Sequence, residues 1–189
     1  MRRLAGVAAV VALVTACSGS PDGPPRSSGS PPRDRAGAPL ILMPRDLGAR
    51  AGDPCGTLLR ADQLKDLGVT RPGLAGVDSI GAPTCKWVAA GAGSRTIEAS
   101  VVQSGDLFVD TYRTKPLPIF LPHDVDGLPA VDSKVFRDDT ACTTTVGVAD
   151  GQTLDVDVAR GTRSGERDVD ACEISRRAAE EIVSTLPPL

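Results

Sequence analysis

An α+β fold is predicted for this chain of 189 residues: a mainly antiparallel sheet built from hairpins, with N- and C-terminal helices packed on it and two disulfides. Three observations predict it. Apolar and polar side chains alternate over residues 96–101, 142–148 and 154–158, the period of half-buried strands. Apolar residues at helical spacing lie near both ends of the region from Asp53 onward. Cys55, Cys85, Cys142 and Cys172 are spread over those same segments.

Residues 1–16 read as an export signal. Arg2 and Arg3 precede an apolar or small run over residues 4–14. That run is shorter than the about 20 residues a spanning helix needs. It ends in Val14-Thr15-Ala16-Cys17, small residues before a Cys, and so resembles the bacterial lipobox. At a lipobox the thiol takes a diacylglyceryl group and the signal is cut just before it. Cys17 is also the odd fifth cysteine of the chain. The expectation is a mature protein held by lipid on Cys17 at the outer, extracytoplasmic face of the cell membrane. Two or more acyl chains give stable anchoring where one does not.

Residues 17–52 are predicted to be the lipidated Cys and a disordered tether. Pro, Gly and Ser fill 18 of the 35 positions after Cys17, too little apolar surface to offset the entropy of ordering. Leu40-Ile-Leu-Met43 interrupts the tether with the character of a short docking segment. The chain has no Asn, so N-glycosylation is excluded.

Residues 53–189 are expected to form one braced domain. Leu58, Leu59, Leu64 and Leu67 make a helical stripe closed by Gly68. Cys85, Trp87 and Ala89 share a strand face, which places Trp87 beside a bridge. Residues 107–139 are less legible: residues 106–112 suit either a short helix or a strand, and Pro116, Pro118 and Pro122 suggest a loop with extended pieces. Near the C-terminus, Asp170-Ala-Cys-Glu173 has the form of a capping box. Ala171, Ile174, Ala178, Ile182 and Leu186 then line one face, with Arg176, Arg177 and Glu180 away from it. Cys172 falls at the edge of that stripe, within reach of a sheet.

One turn can be reasoned in detail. A two-residue Asp150-Gly151 loop would set Val146 opposite Asp155, mixing apolar and charged side chains on one face. A three-residue Ala149-Asp150-Gly151 loop sets Val146 opposite Leu154 and Thr144 opposite Val156, with Gly where a bulged hairpin wants positive φ. The longer loop is the expectation.

The four body cysteines form an even set with no metal-type spacing, and outside the cell such a set reads as disulfides. Cys55–Cys85 and Cys142–Cys172, each thirty positions apart, is the favoured pairing; a bridge between Cys55 and Cys172 stays open at this point. Each bridge is worth roughly 3–4 kcal/mol by chain entropy.

Asp53-Pro54-Cys55-Gly-Thr-Leu58-Leu59 with Leu67-Gly68, then Cys85-Lys-Trp87, resembles domain-of-unknown-function family 3558, a family of uncharacterised actinobacterial lipoproteins. Cys142-Thr-Thr-Thr-Val146 and the run from Asp170-Ala-Cys172 to Leu186-Pro187 match its second half. Arg60 stands where a capping Thr is more usual. The resemblance covers about residues 53–187 and implies a cell-envelope lipoprotein, with no activity attached.

Chemistry-bearing patterns are few. His123 is the single His, placed in Leu121-Pro-His-Asp-Val-Asp126 on an expected surface loop. Asp124 and Asp126 imitate part of a calcium loop without its later ligands. Asp155 and Asp157 alternate on an outward strand face, and Asp138-Asp139 precede a strand; solvation accounts for each. No nucleophile elbow or phosphate loop occurs. Residues 53–189 carry 14 basic and 21 acidic side chains, which disfavours nucleic acid as a partner. The expectation is a non-enzymatic binding or interaction module with no metal or cofactor, facing an envelope protein or glycan. The alternatives are a carrier of a lipid or other apolar small molecule, and a hydrolase with an unrecognised site, for which His123 with Asp124 is the constellation to test.

Overall fold

The computed structural model describes residues 34–89, 95–135, 140–160 and 170–189. The expected signal, Cys17, the first half of the expected tether and Asp138-Asp139 lie outside the described residues. Residues from Asp34 to Leu189 form one compact unit.

Among the described residues seven antiparallel strands make one sheet: β1 Leu74–Val77, β2 Pro83–Val88, β3 Arg95–Val102, β4 Ile119–Val125, β5 Leu128–Lys134, β6 Ala141–Ala149 and β7 Gln152–Arg160. Their order across the sheet is β1-β2-β3-β7-β6-β5-β4. The predicted alternation is realised. Ile97, Ala99 and Val101 of β3 and Leu154, Val156 and Val158 of β7 face one core with Cys85, Trp87 and Ala89. Over that face lie α1 Pro54–Thr57, α2 Ala61–Asp66 and α4 Ala171–Val183. The segment left open between helix and strand by the sequence is helical: α3 Leu107–Thr114 packs Phe108, Val109 and Tyr112 on Val131 of the opposite sheet face. The Asp106 side chain starts it by accepting from Val109 N–H at 3.1 Å.

The C-terminal helix follows the expected stripe. Ala171, Ile174, Ala178, Ile182 and, just past the helix, Leu186 are all buried. Asp170 caps it by accepting from Cys172 N–H at 3.0 Å. The two bridges are Cys55–Cys85 and Cys142–Cys172, each with Cα atoms 5.0 Å apart. The first ties α1 to β2 beside the fully buried Trp87, and the second ties α4 to β6.

Three expectations are corrected. The first helix is two short ones, because Arg60 is extended (φ −76°, ψ 163°) and restarts the chain as the N-cap of α2. Gln63 Oε1 accepts the Arg60 N–H at 2.8 Å, the N3 half of a capping box, while Arg60 has no side-chain oxygen to supply the half a Thr would. In the β6–β7 hairpin the register is the expected one, Val146 opposite Leu154 and Thr144 opposite Val156. The extra residue, however, is absorbed in a bulge between Gly147 and Ala149, so that Ala149 pairs with Gln152 and the tip is Asp150-Gly151, with Gly151 at φ +74°.

The third correction is the tether. Its second half is a strap that belongs to the fold. Leu47 is fully buried and Ala38 nearly so. The backbone N–H groups of Arg45, Asp46 and Leu47 donate to Val148 O, Pro187 O and Gln152 Oε1, and the Arg35 guanidinium reaches Asp150. The folded unit therefore begins at Asp34 and not at Asp53. A Pro/Gly-rich stretch needs little apolar surface to stay ordered when its backbone groups are taken up by neighbouring elements.

Candidate functional site

His123 does not lie on a surface loop. It sits within β4, an edge strand that tolerates Pro122 because edge N–H groups need no ladder partner. The turn that follows is Asp126-Gly127, with φ +49° and +76°. This is the two-residue turn that a right-twisted hairpin prefers, and it accounts for the Asp-x-Asp-Gly pattern without a cation. The β4–β5 register sets Leu121 opposite Asp132 and His123 opposite Ala130. His123 and Asp124 consequently point to opposite faces and form no constellation.

The partner of His123 is Asp132, a residue with no sequence signal beyond a carboxylate in a run of buried positions. His123 Nε2 lies 2.8 Å from Asp132 Oδ1, and Nδ1 lies 3.2 Å from Asp124 O. Thr144 Oγ1 donates to the same Oδ1 at 2.8 Å. Arg176, placed away from the apolar stripe, reaches down to Asp132 Oδ2 with its Nε. Ser175 Oγ lies 2.6 Å from Thr144 Oγ1 and donates to Cys172 O at 3.1 Å. The Asp132 side chain has no solvent exposure.

Electrostatically the Asp132 carboxyl faces the Arg176 guanidinium on one side and the His123 imidazole on the other. The hydrogen bond to Asp132 raises the His123 pKa above its ordinary value; burial and the Arg176 charge act the other way. Both ring nitrogens face acceptors, the arrangement an imidazolium prefers. The order of groups runs Ser175, Thr144, Asp132, His123, so the serine and the imidazole sit on opposite sides of the carboxylate. A serine nucleophile needs the imidazole between itself and the acid. The geometry instead clamps α4 to β4, β5 and β6.

Asp132 also lies near Cys142 and Cys172, all three ligand-type atoms falling within 4.8 Å of one another. As disulfide sulfurs the two Cys offer no thiolate.

On the other sheet face, Asp155 is not simply solvated. It is half-buried on the central strand, and burial, with the charge of Asp157 next in weight, pushes its carboxyl up to about 7 despite a hydrogen bond from Thr145. Asp157 is raised too, by burial first, although its side chain keeps contact with solvent that screens the effect. Glu98 lies opposite Asp157 and is bound by Lys86 at 2.7 Å.

A cleft of about 150 Å³ opens between the end of α2 and the start of α4, lined by Asp66, Leu67, Arg95, Glu173, Ile174 and Arg177. Arg95 Nη2 donates to Leu67 O at 2.7 Å and closes one wall. Sequence reasoning placed Arg177 on the helix's outer face and gave it no role. Ligand pockets for drug-sized apolar molecules are larger, about 300–1,000 Å³, and mostly apolar. This one is small and charged.

The model of a family described as "Protein of unknown function (DUF3558)" matches residues 12–185. The chain belongs to that family. No curated protein and no solved structure matches it. Within this DUF3558 chain, the residues that carried the resemblance have structural roles. Asp53 caps α1 by accepting from Gly56 N–H at 3.0 Å, Trp87 is sealed beside the first bridge, and Leu186-Pro187 hold the strap.

Proposed function

We propose that the protein is an exported lipoprotein, anchored through Cys17 at the extracytoplasmic face of the membrane, whose folded body is a binding module and not an enzyme. The observation that carries this reading is the pair of disulfides. Such bridges persist in oxidising compartments and are rare in the cytosol. An export signal with a lipobox-like end is the counterpart in the sequence. Among the described residues no helix is long and apolar enough to cross a membrane, so retention there falls to the lipid.

The recognition surface in this reading is the α2–α4 cleft, where Asp66, Glu173 and Arg177 present both signs of charge around Leu67 and Ile174. That lining suits a polar or dipolar group on an envelope protein or glycan rather than a lipid tail. A fatty-acid label fed to expressing cells is expected on the full chain and not on Cys17→Ser; an unlabelled full chain contradicts the anchor. Retention of envelope protein or cell-wall glycan by the purified chain is expected to be lost in Arg177→Glu. Equal retention by that variant contradicts the cleft as the recognition surface.

A further inference from the structure

We propose that the aliphatic patch at the turn end of the sheet docks on the lipid bilayer and sets the orientation of the body. This rests on the anchor at Cys17 proposed above. Leu40, Leu42, Met43 and Leu189 are 67%, 80%, 56% and 66% exposed. Single exposed leucines are ordinary, but a contiguous group marks an interaction surface. The four belong to one place. Leu189 N–H donates to Pro44 O at 3.1 Å, and Arg45 bridges to Pro188. Met43 lies against Gly127 at the β4–β5 turn, and Arg35 against Asp150 at the β6–β7 turn. Between the exposed residues Ile41 packs on the core and fixes the strap.

The occupant follows from connectivity and charge. Sixteen residues separate Cys17 from Asp34, and the patch begins six positions beyond Asp34. Whatever its conformation, a spacer of that length reaches at most about 60 Å, so an anchored chain keeps this end of the body near the bilayer at high effective concentration. The nearby guanidinium groups are turned into the fold: Arg35 pairs with Asp150, and Arg45 and Arg50 donate to Leu186 O and Thr185 O. Residues 53–189 are net acidic. Attraction to anionic headgroups therefore does not drive docking. Insertion of aliphatic side chains into the interfacial layer, about 5–10 Å deep, does.

Docked this way, the body turns its three hairpin ends, β1–β2, β4–β5 and β6–β7, toward the lipid. The α2–α4 cleft, at the opposite end of α4 from the strap contacts, faces away from it. Lipid on Cys17 supplies retention and the patch supplies orientation.

The test uses the mature lipidated protein in phosphatidylcholine vesicles with brominated acyl chains. Trp87 is the single Trp and is fully buried, so the parent gives the background. Leu42→Trp is expected to shift its emission to the blue and lose most of it to the brominated lipid. Val135→Trp is the control, exposed at the far end of β5, roughly 25 Å along the strand from Gly127. It is expected to stay unquenched. Protein that floats with the vesicles while Leu42→Trp stays unquenched overturns the docking and leaves the anchor standing. Quenching of both positions alike overturns the orientation. Protection of Leu42→Trp only when an envelope protein fraction is added assigns the patch to a protein instead. Protein that never floats overturns the anchor, and the docking with it.

Discussion

Asp132 is a buried carboxylate that accepts from His123, Thr144 and Arg176 at once. Removing it strands those groups, and breaking one side of a buried pair costs about 3 kcal/mol. Asp132→Ala is therefore expected to lower the melting temperature by about 6–12 °C for a domain of this size; an unchanged melting curve would contradict the clamp. Two other groups make stability depend on pH. Folding raises the Asp155 carboxyl from 3.8 to about 7, so the folded form holds a proton that the unfolded chain releases earlier. Stability then falls as pH rises from about 4 to about 7. Folding also raises His123 above its ordinary 6.5; its contribution is complete below that value and is lost as pH rises through the folded one. Both slopes have the same sign, so the protein is expected to melt higher at about pH 5 than at about pH 8. Asp155→Asn keeps an oxygen for Thr145 and should flatten the lower part of the decline, while His123→Gln flattens the upper part. Melting temperatures measured across that range decide it, and a rise toward pH 8 would contradict both assignments.

At the scale of elements, what the sequence made legible was what depends on local period. The β3, β6 and β7 alternation, the α4 stripe and the β6–β7 register all follow from side chains a few positions apart, and all are present. The bridge partners needed one further step, since the favoured thirty-residue spacing had an open rival. The His123 environment was not legible, because it is assembled from β4, β5, β6 and α4, whose juxtaposition no local period encodes. The strap was missed for a different reason. Averaging composition over residues 17–52 hides Leu47, one fully buried anchor in a stretch that otherwise reads as a spacer. Leu47→Ala is expected to destabilise by about 3 kcal/mol through the cavity it leaves, seen as a lower denaturation midpoint. A change below about 0.5 kcal/mol, as for an exposed tether position, would return residues 34–52 to the tether.

For the whole molecule, the strap alters what the tether length means. The spacer left between Cys17 and Asp34 is sixteen residues rather than the thirty-five expected before Asp53. With Cys17 lipidated as proposed, a body held that close, with its apolar residues at the tethered end and its charged cleft at the other, presents one face outward. That account stands on export, lipidation and oxidation occurring together. The measurement that tests it most directly is the intact mass of the mature protein taken from native membranes without reductant. The account predicts a chain beginning at Cys17 with added diacylglyceryl lipid and the mass deficit of two disulfides. A mature N-terminus elsewhere with no lipid mass, or four free thiols in the body, would contradict it.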